Sequence, residues 1–468
     1  MAASLRGQVM KGGAYLVARR MAGFAISFGG MLLLMHLIGI RNYGMYATLN
    51  GLILFLTELC ANGMNAYLVR EERADKRLYD LVFTAILVSA AIAVALGACA
   101  SSLLAEWLHD ESFRWPFLLA LLGLPATAFL VPALAILERK LDFRGIAFVE
   151  MYTQVAYYGA AIALAYWQFG LWAPIIGNLV QALTALALGY RFTGYRPSLS
   201  WCRLTFKKML AYGISHSLSK RIISLRALVN PLLVGRFVGP EGVACIALAV
   251  RVIEALSLVN GAIQRISFAA FSKISQSKEA VQNTLNELMP LQIFSVVPFL
   301  IGFSVVSQWL VPLLFGDDWT TVLHLYPYIA VSFLISCLFS MHVNVLYVRG
   351  DNWSVVKFNA LHVVLFVAVA CALLPIVGLY GYAIAEIVTL ATYYAIHLPL
   401  RKQYRLRYRT ALIYASVCAP ALFFPTVPIP WAFLLLAPLL VLVVWAEPRI
   451  RLRGYVRQIR SLRAGDAS

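Results

Sequence analysis

Apolar stretches of helical length follow one another along the whole chain, separated by short polar or proline-containing segments. A bilayer-spanning α-helix needs about 20 predominantly apolar residues, and most of these stretches reach that length. The pattern predicts fourteen spans, at residues 12–38, 43–69, 79–108, 114–137, 146–167, 170–190, 208–235, 241–271, 284–312, 321–348, 354–376, 378–400, 410–425 and 430–447. We therefore expect an all-α integral membrane protein with about 14 transmembrane helices, the last two of them short and flanked by prolines.

The composition agrees with this pattern. Of the 468 residues, 61% are hydrophobic and 13% are charged, whereas about 25% of residues are charged in soluble domains. The net charge of +18 lies mostly in short loops, where membrane orientation explains it without a nucleic-acid partner. The seven cysteines form no CxxC pair and no Walker A glycine loop is present, so we expect neither a structural metal nor ATP hydrolysis.

The distribution of lysine and arginine predicts the orientation of the chain. If the N-terminus is cytoplasmic, 29 of these residues fall in cytoplasmic segments and three in outer loops, at Arg41, Arg114 and Arg236. Such an excess marks the cytoplasmic side of a membrane protein. The prediction is a multi-pass membrane protein with both termini in the cytoplasm.

A weak internal repeat predicts the domain organisation. Residues 39–48 resemble residues 238–247, and Gly170-Leu-Trp-Ala resembles Gly378-Leu-Tyr-Gly. Parallel repeats of this kind are typical of alternating-access transporters. We expect two pseudo-symmetric six-helix bundles, at residues 1–200 and 201–405, followed at 406–468 by an extra helix pair and a basic cytoplasmic tail.

Seven basic residues lie inside spans that otherwise suit lipid: Arg19, Arg20, Lys220, Arg221, Arg226, Arg251 and Arg265. A cation at the centre of a bilayer costs about 2.5–3.5 kcal/mol even on mild scales. Because few acidic residues lie nearby, the set predicts an interior cavity that attracts an anion. We therefore expect a transporter of an anionic substrate, not an enzyme.

Helical periodicity places most of these cations on one face each of the first, seventh and eighth spans, while Arg221 points away from the others. These faces are predicted to line one central cavity. The predicted anion-binding residues are Arg19, Arg20, Lys220, Arg226, Arg251 and Arg265. Simpler roles stay open for three of them, because Arg19 and Lys220 can reach the headgroups along their aliphatic stems and Arg265 can belong to the ordinary cytoplasmic charge.

Three ionisable residues are candidates for coupling transport to a proton or sodium gradient: Glu254, Glu58 and His216. An ionisable group inside a span is a functional candidate by default, and Glu386 is a weaker one. The alternatives are a helix–helix contact for Glu58, an ion pair with Arg251 across one turn for Glu254, and a structural role for His216. No other cofactor is expected.

Four short segments resemble the polysaccharide transporters, including Wzx-type oligosaccharidyl-lipid flippases, of the multidrug/oligosaccharidyl-lipid/polysaccharide exporter (MOP) superfamily. They are Leu137–Arg144 (LERKLDFR), Gly170–Ala173 (GLWA), Phe237–Ala244 (FVGPEGVA) and Leu314–Trp319 (LFGDDW). The four occur in the family's order and on the expected sides of the membrane. No motif singles out one glycan.

The resemblance implies a V-shaped, MATE-like pair of six-helix bundles in the bacterial inner membrane. It implies that the chain flips an undecaprenyl-diphosphate-linked oligosaccharide, the repeat unit of an O-antigen, capsule or exopolysaccharide, from the cytoplasmic to the outer leaflet by alternating access. The sequence leaves open whether a polysaccharide polymerase or a chain-length regulator is a partner. It also leaves open whether the arginine-rich tail binds anionic membrane lipids or only anchors the topology.

Two other transporters of the same superfamily remain as alternatives. A cation-coupled multidrug exporter takes mostly cationic substrates and is disfavoured by the net positive interior. A lipid II flippase also has fourteen helices and a cationic cavity, and only the LDFR and FGDDW segments speak against it. A membrane glycosyltransferase would need a sizeable outer loop with catalytic carboxylates, and the sequence contains none.

Overall fold

The computed structural model describes the backbone of residues 2–71, 74–140 and 142–444. It describes their side chains except those of residues 2–22, 24, 143, 214–217, 219, 220, 262, 443 and 444. All regular elements in these ranges are helices, and none of the described residues forms a strand. The predicted all-α fold is confirmed.

The chain forms two compact units, residues 1–247 and 248–468. The helices of the first unit are α1 (Ala2–Ala61), α2 (Met64–Arg70), α3 (Lys76–Trp107), α4 (Arg114–Arg139), α5 (Phe143–Tyr166), α6 (Trp172–Thr193), α7 (Arg203–Ala227), α8 (Gly235–Phe237) and the start of α9 (Pro240–Leu256). The predicted division at residues 200 and 405 rested on sequence repeats and stays a prediction.

The second unit contains the rest of α9 and nine further helices. These are α10 (Leu258–Ile274), α11 (Lys278–Phe315), α12 (Thr321–Val348), α13 (Asn352–Val377), α14 (Leu379–Val388), α15 (Tyr393–Arg401), α16 (Arg409–Leu422), α17 (Ile429–Ala432) and α18 (Leu440–Val444).

Eight helical segments in the described part of the chain are long and apolar enough to cross a membrane, or nine if the bent pair α9–α10 is one span. The chain is therefore a multi-pass membrane protein, but the predicted count of about 14 spans is not confirmed. The first two predicted spans correspond to the two helical parts of α1, which are separated by non-helical backbone at Gly39 (φ 77°, ψ 168°). Helix α16 has only 14 residues, and α7 is too polar to be counted.

In the first unit, α6 packs against both α4 and α5, and α3 packs against α4. The close approach of α1 to the start of α9 depends on Gly44, because a Cβ atom there would lie 1.8 Å from the carbonyl oxygen of Pro240. Nearby in α1, Arg41 forms an ion pair with Asp110, with 2.9 Å between Nη2 and Oδ2. These contacts hold α1 against its neighbours along its second half.

In the second unit, α11 packs against α12 and α16, and α13 packs against α14. The core between these helices is apolar and includes the fully buried Leu285, Met289 and Leu338. Ser304 in α11 donates a hydrogen bond to the carbonyl of Leu422 at 2.7 Å, which satisfies the end of α16. Helix α16 is thus an integral part of this unit although it is short.

Candidate functional site

Helix α7 is the polar helix of the first unit and packs against α1 and α2. It carries Lys220, Arg221 and Arg226 together with five serines or threonines. Inside a membrane protein, ionisable side chains face the protein interior or a water-filled surface, because lipid offers them no partner. Helix α7 is therefore the first place to look for a functional site.

Glu58 in α1 meets this helix directly. The hydroxyl of Ser224 donates a hydrogen bond to the Glu58 carboxylate, and both side chains are half-buried. Glu58 therefore makes the helix–helix polar contact that the sequence left open as one of its two roles. Its other role, in ion coupling, stays a prediction.

Arg221 and Arg226 are both half-buried in the first unit. The Nε and Nη2 atoms of Arg221 are shielded from solvent and donate no hydrogen bond to any residue that the structure describes. Periodicity predicts that Arg221 points away from the other cations of the set, and the structure shows that these two nitrogen atoms are covered by protein. Buried guanidinium nitrogen atoms without an acceptor are unfavourable until an anion or another acceptor reaches them.

The polar surface of α7 continues into a π-helical turn at Asn230–Val234. Pro231 has no amide hydrogen and cannot continue the α-helical hydrogen-bond ladder, and π turns are frequent at functional sites. The Asn230 amide donates to the carbonyl of Val243 at 3.3 Å, while its Oδ1 atom is buried without a donor among the described residues.

In the second unit, Arg251 and Glu254 form an ion pair with 3.1 Å between Nη1 and Oε2. Their side chains are 55% and 58% exposed, so the structural ion pair across one turn is present. Arg265 is exposed and donates from Nε to the carbonyl of Gly261 at 3.2 Å. Binding of substrate by Arg251 and Arg265, and ion coupling by Glu254, stay predictions.

Four of the predicted site residues have side chains outside the described residues. They are Arg19, Arg20, Lys220 and His216. Their roles in anion binding and ion coupling therefore stay predictions from the sequence.

A buried polar chain in the second unit was missed by the sequence reasoning. The hydroxyl of Tyr408 lies 2.6 Å from Nε2 of His342 and 2.7 Å from Nδ1 of His397. His342 is fully buried, and its Nδ1 atom has no partner among the described residues. The available signal was His342 itself, an ionisable residue within a predicted span.

Glu386, the weaker carboxylate candidate, is also buried in the second unit. It is 4% exposed and accepts a hydrogen bond of 2.8 Å from the hydroxyl of Ser332. Within the part of the chain that the structure describes, no three His, Cys, Asp or Glu side chains come together as a metal site would require.

The fold places the chain in a class of helical membrane proteins that share this architecture. The chain superposes on the lipid II flippase MurJ, in an inward closed conformation, with a TM-score of 0.73 and 12% sequence identity. The superposition covers 94% of this chain and 100% of the MurJ chain. It also superposes on an inward-facing multidrug resistance MATE family transporter of the MOP superfamily, with a TM-score of 0.62 and 16% sequence identity. This superposition covers 84% of this chain and 95% of the transporter chain. The predicted resemblance to this superfamily is confirmed at the level of the fold.

Within that class, the chain belongs to the family described as "Polysaccharide biosynthesis protein", whose model matches residues 33–324. The chain is also 27% identical over 239 residues to the lipopolysaccharide biosynthesis protein WzxC of Escherichia coli K12. That match covers 50% of this chain and 48% of WzxC. The chain spans between 48% and 60% of the length of the curated relatives it matches.

Proposed function

We propose that this chain is a flippase for an undecaprenyl-diphosphate-linked oligosaccharide, which it moves from the cytoplasmic to the outer leaflet of the bacterial inner membrane by alternating access. The observation that carries the proposal is the polar helix α7, with half-buried Arg221 and Arg226, in a member of a polysaccharide biosynthesis family. The superposition on MurJ is a second observation that supports the proposal. Both termini are cytoplasmic in this proposal.

The diphosphate explains why the polar helix is basic. A lipid diphosphate keeps its negative charge in the membrane, and arginine binds phosphate oxygens in pairs through its planar guanidinium. The shielded nitrogen atoms of Arg221 supply donors that need an acceptor. In this mechanism, α7 together with the predicted cations Arg19, Arg20 and Lys220 holds the diphosphate, while the glycan occupies polar space and the polyprenyl chain stays in lipid. The roles of Arg251 and Arg265 in anion binding stay predictions from the sequence.

Glu58 is the coupling carboxylate that the structure supports best. It is half-buried beside the basic helix, where Ser224 donates to it. Protonation or sodium binding at Glu58 would change the charge next to the arginines and so their affinity for an anion. Glu254 is a poorer candidate because it is exposed and already neutralised by Arg251.

Complementation of a strain that lacks its own flippase tests the proposal. We expect Arg221→Gln and Arg226→Gln to lower surface polysaccharide at least about tenfold at matched membrane abundance, since each removes a buried charge-assisted donor. Arg226→Lys keeps the charge and should retain part of the export. Arg203→Gln is the matched control, because Arg203 is exposed at the start of the same helix.

Two results would count against this function. Full export by both glutamine variants would remove the anion-binding argument from α7. Rescue of a strain that lacks its lipid II flippase, or efflux of cationic dyes, without any rescue of polysaccharide export would favour one of the other two superfamily activities. The Arg203→Gln control separates a loss of export that is specific to Arg221 or Arg226 from a general effect of lost charge on membrane insertion.

A further inference from the structure

A second basic site lies in the first unit, at the ends of α3, α4 and α6. It is a cavity of about 630 Å³. Its lining consists of Lys76, Tyr79, Ile136, Arg139, Lys140, Thr193, Gly194, Tyr195 and Arg196. Four cations from three helix ends thus meet around one cavity, with two tyrosines and an isoleucine as its apolar wall.

The segment that carries Arg196 is fixed by hydrogen bonds on both sides of that residue. The hydroxyl of Tyr195 donates to Oδ1 of Asp80 at 2.9 Å, and the hydroxyl of Ser198 donates to Oδ2 of Asp80 at 2.6 Å. Gly194 ends α6 with φ 65°, a left-handed conformation that turns the chain towards α3. Arg196 is therefore held at the cavity by a buried carboxylate.

Arg139 is fixed as well. Its guanidinium donates to the carbonyls of Leu68, at 2.8 Å, and of Glu71, and so closes the end of α2. The other three cations of the cavity differ from Arg139 in their contacts. The side chains of Lys76, Lys140 and Arg196 are exposed and form no hydrogen bond or salt bridge with any residue that the structure describes, although Lys76 interacts electrostatically with Asp80.

No carboxylate is among the described residues that line this cavity. Asp80 lies nearby, but it is 4% exposed and already accepts from Tyr195 and Ser198. Asp80 offsets part of the charge of Lys76, but four cations outnumber this one carboxylate, so the cavity keeps a net positive charge that a bound anion would neutralise. Orientation in the membrane requires only that cations lie in the cytoplasmic loops. It does not require them to meet around one cavity, so the arrangement of these four cations needs another explanation.

We propose that this cavity binds the phosphate-bearing headgroup of an anionic membrane lipid. The cations would contact the phosphate, and the apolar wall would lie against the glycerol and the start of the acyl chains. The cavity lies at the ends of apolar helices on the side that the sequence assigns to the cytoplasm, which is the depth of a lipid headgroup. A free phosphate compound shares the chemistry but has no use for the apolar wall.

The test measures lipid binding by the purified full-length protein, so it does not depend on the proposed flippase activity. Native mass spectrometry from mixed micelles compares the binding of phosphatidylglycerol with that of phosphatidylcholine. The variant is Lys76→Gln/Lys140→Gln/Arg196→Gln. The matched control is Arg77→Gln/Arg144→Gln/Arg191→Gln, which removes three exposed cations from nearby positions that do not line the cavity.

The wild-type protein and the control should prefer phosphatidylglycerol, and the cavity variant should lose about tenfold or more in affinity for it. Equal losses in the two triple variants, at unchanged melting temperatures, would overturn the proposal in favour of general surface charge. Inorganic pyrophosphate is the second arm. If it displaces phosphatidylglycerol from the wild-type protein at equal concentration, the assignment to a lipid is wrong and the site takes free phosphate.

Discussion

Replacement of Asp80 gives the sharpest test of how the first unit is held together. Asp80 lies in the second turn of α3 and is 4% exposed. It accepts three hydrogen bonds, from the Tyr195 hydroxyl at 2.9 Å, the Ser198 amide at 3.1 Å and the Ser198 hydroxyl at 2.6 Å. All three donors belong to the segment that follows α6, 115 to 118 residues away in sequence.

The expected loss follows from what each donor can do when the carboxylate is gone. Ser198 is exposed, so water can replace most of what it loses, whereas Tyr195 is 8% exposed and its hydroxyl stays buried. Burial, and then the hydrogen bond to Asp80, raise the pKa of Tyr195, so the phenol remains a donor at any ordinary pH. An unsatisfied buried donor costs about 1–3 kcal/mol, and hydrogen bonds to a charged acceptor contribute about 1.5–3 kcal/mol.

We therefore expect Asp80→Ala to lower the free energy of unfolding of the first unit by about 2–4 kcal/mol. At about 2–4 °C per kcal/mol for units of this size, the melting temperature in detergent should fall by about 5–15 °C. Tyr195→Phe removes one donor but leaves the carboxylate with both donors of Ser198, so its effect should be about 1–2 kcal/mol. The combined variant should lose less than the sum, because the two residues share one interaction.

The control is Asp75→Asn on the same helix. Asp75 is exposed and caps α3 by accepting from the amide of Leu78 at 3.0 Å; asparagine caps a helix about as well as aspartate, so this variant should melt close to the wild type. The reasoning is refuted if Asp80→Ala melts no lower than Asp75→Asn. It is also refuted if the effects of Asp80→Ala and Tyr195→Phe add fully.

Two further variants test other contacts of the first unit. Gly44→Ala should destabilise strongly, by about 3 kcal/mol or more, because its Cβ would meet the Pro240 carbonyl at 1.8 Å; a normal yield and melting temperature would contradict this close approach. For Asp110, burial alone would raise the pKa, but hydrogen bonds from Ser112 and from Arg41 outweigh it and lower the pKa. Its contribution is therefore present above the pKa of about 3.9 of a free aspartate and is lost as the pH falls below that value. Asp110→Asn should cost about 1 kcal/mol or less at pH 7, and the difference from wild type should shrink as the pH falls below about 3.9 and through the lower pKa of Asp110 in the folded protein; a difference that does not shrink with falling pH would show that the charge is not the cause.

Much of the fold could be predicted from the sequence because apolar length and helix breaks are local properties. Most predicted spans correspond to a helix within a few residues, for example 321–348 and α12 (Thr321–Val348). The number of spans was harder to predict, since it depends on what each helix contacts. Helix α7 lies where the sequence predicts a span, but it is too polar to be counted as one. Its packing against α1 and α2 explains why it tolerates charged residues.

The sequence could nominate candidate residues for the site but not their arrangement. Periodicity places side chains around the axis of one helix, and it groups Lys220 with Arg226 on one face of α7, which stays a prediction because the side chain of Lys220 lies outside the described residues. It contains no information about the neighbouring helix, so the partner of Glu58 and the buried nitrogen atoms of Arg221 were not foreseen. The chain from His342 through Tyr408 to His397 was missed for the same reason, since its members are up to 66 residues apart.

The segments that resemble the family's motifs have structural roles in this chain. In LDFR, Asp142 caps α5 by accepting from the amide of Gly145 at 2.9 Å, and in FGDDW, Trp319 is 1% exposed in the core of the second unit. In GLWA, Gly170 forms a turn with φ 50°. Residues of this kind determine where helices begin and end or fill the core, and none of them needs to contact the transported molecule. The motifs therefore indicate the family and do not distinguish one glycan from another. Under the proposed function, selectivity for a glycan depends on other side chains, and in the first unit Arg221, whose Nε and Nη2 atoms have no acceptor among the described residues, is the first candidate.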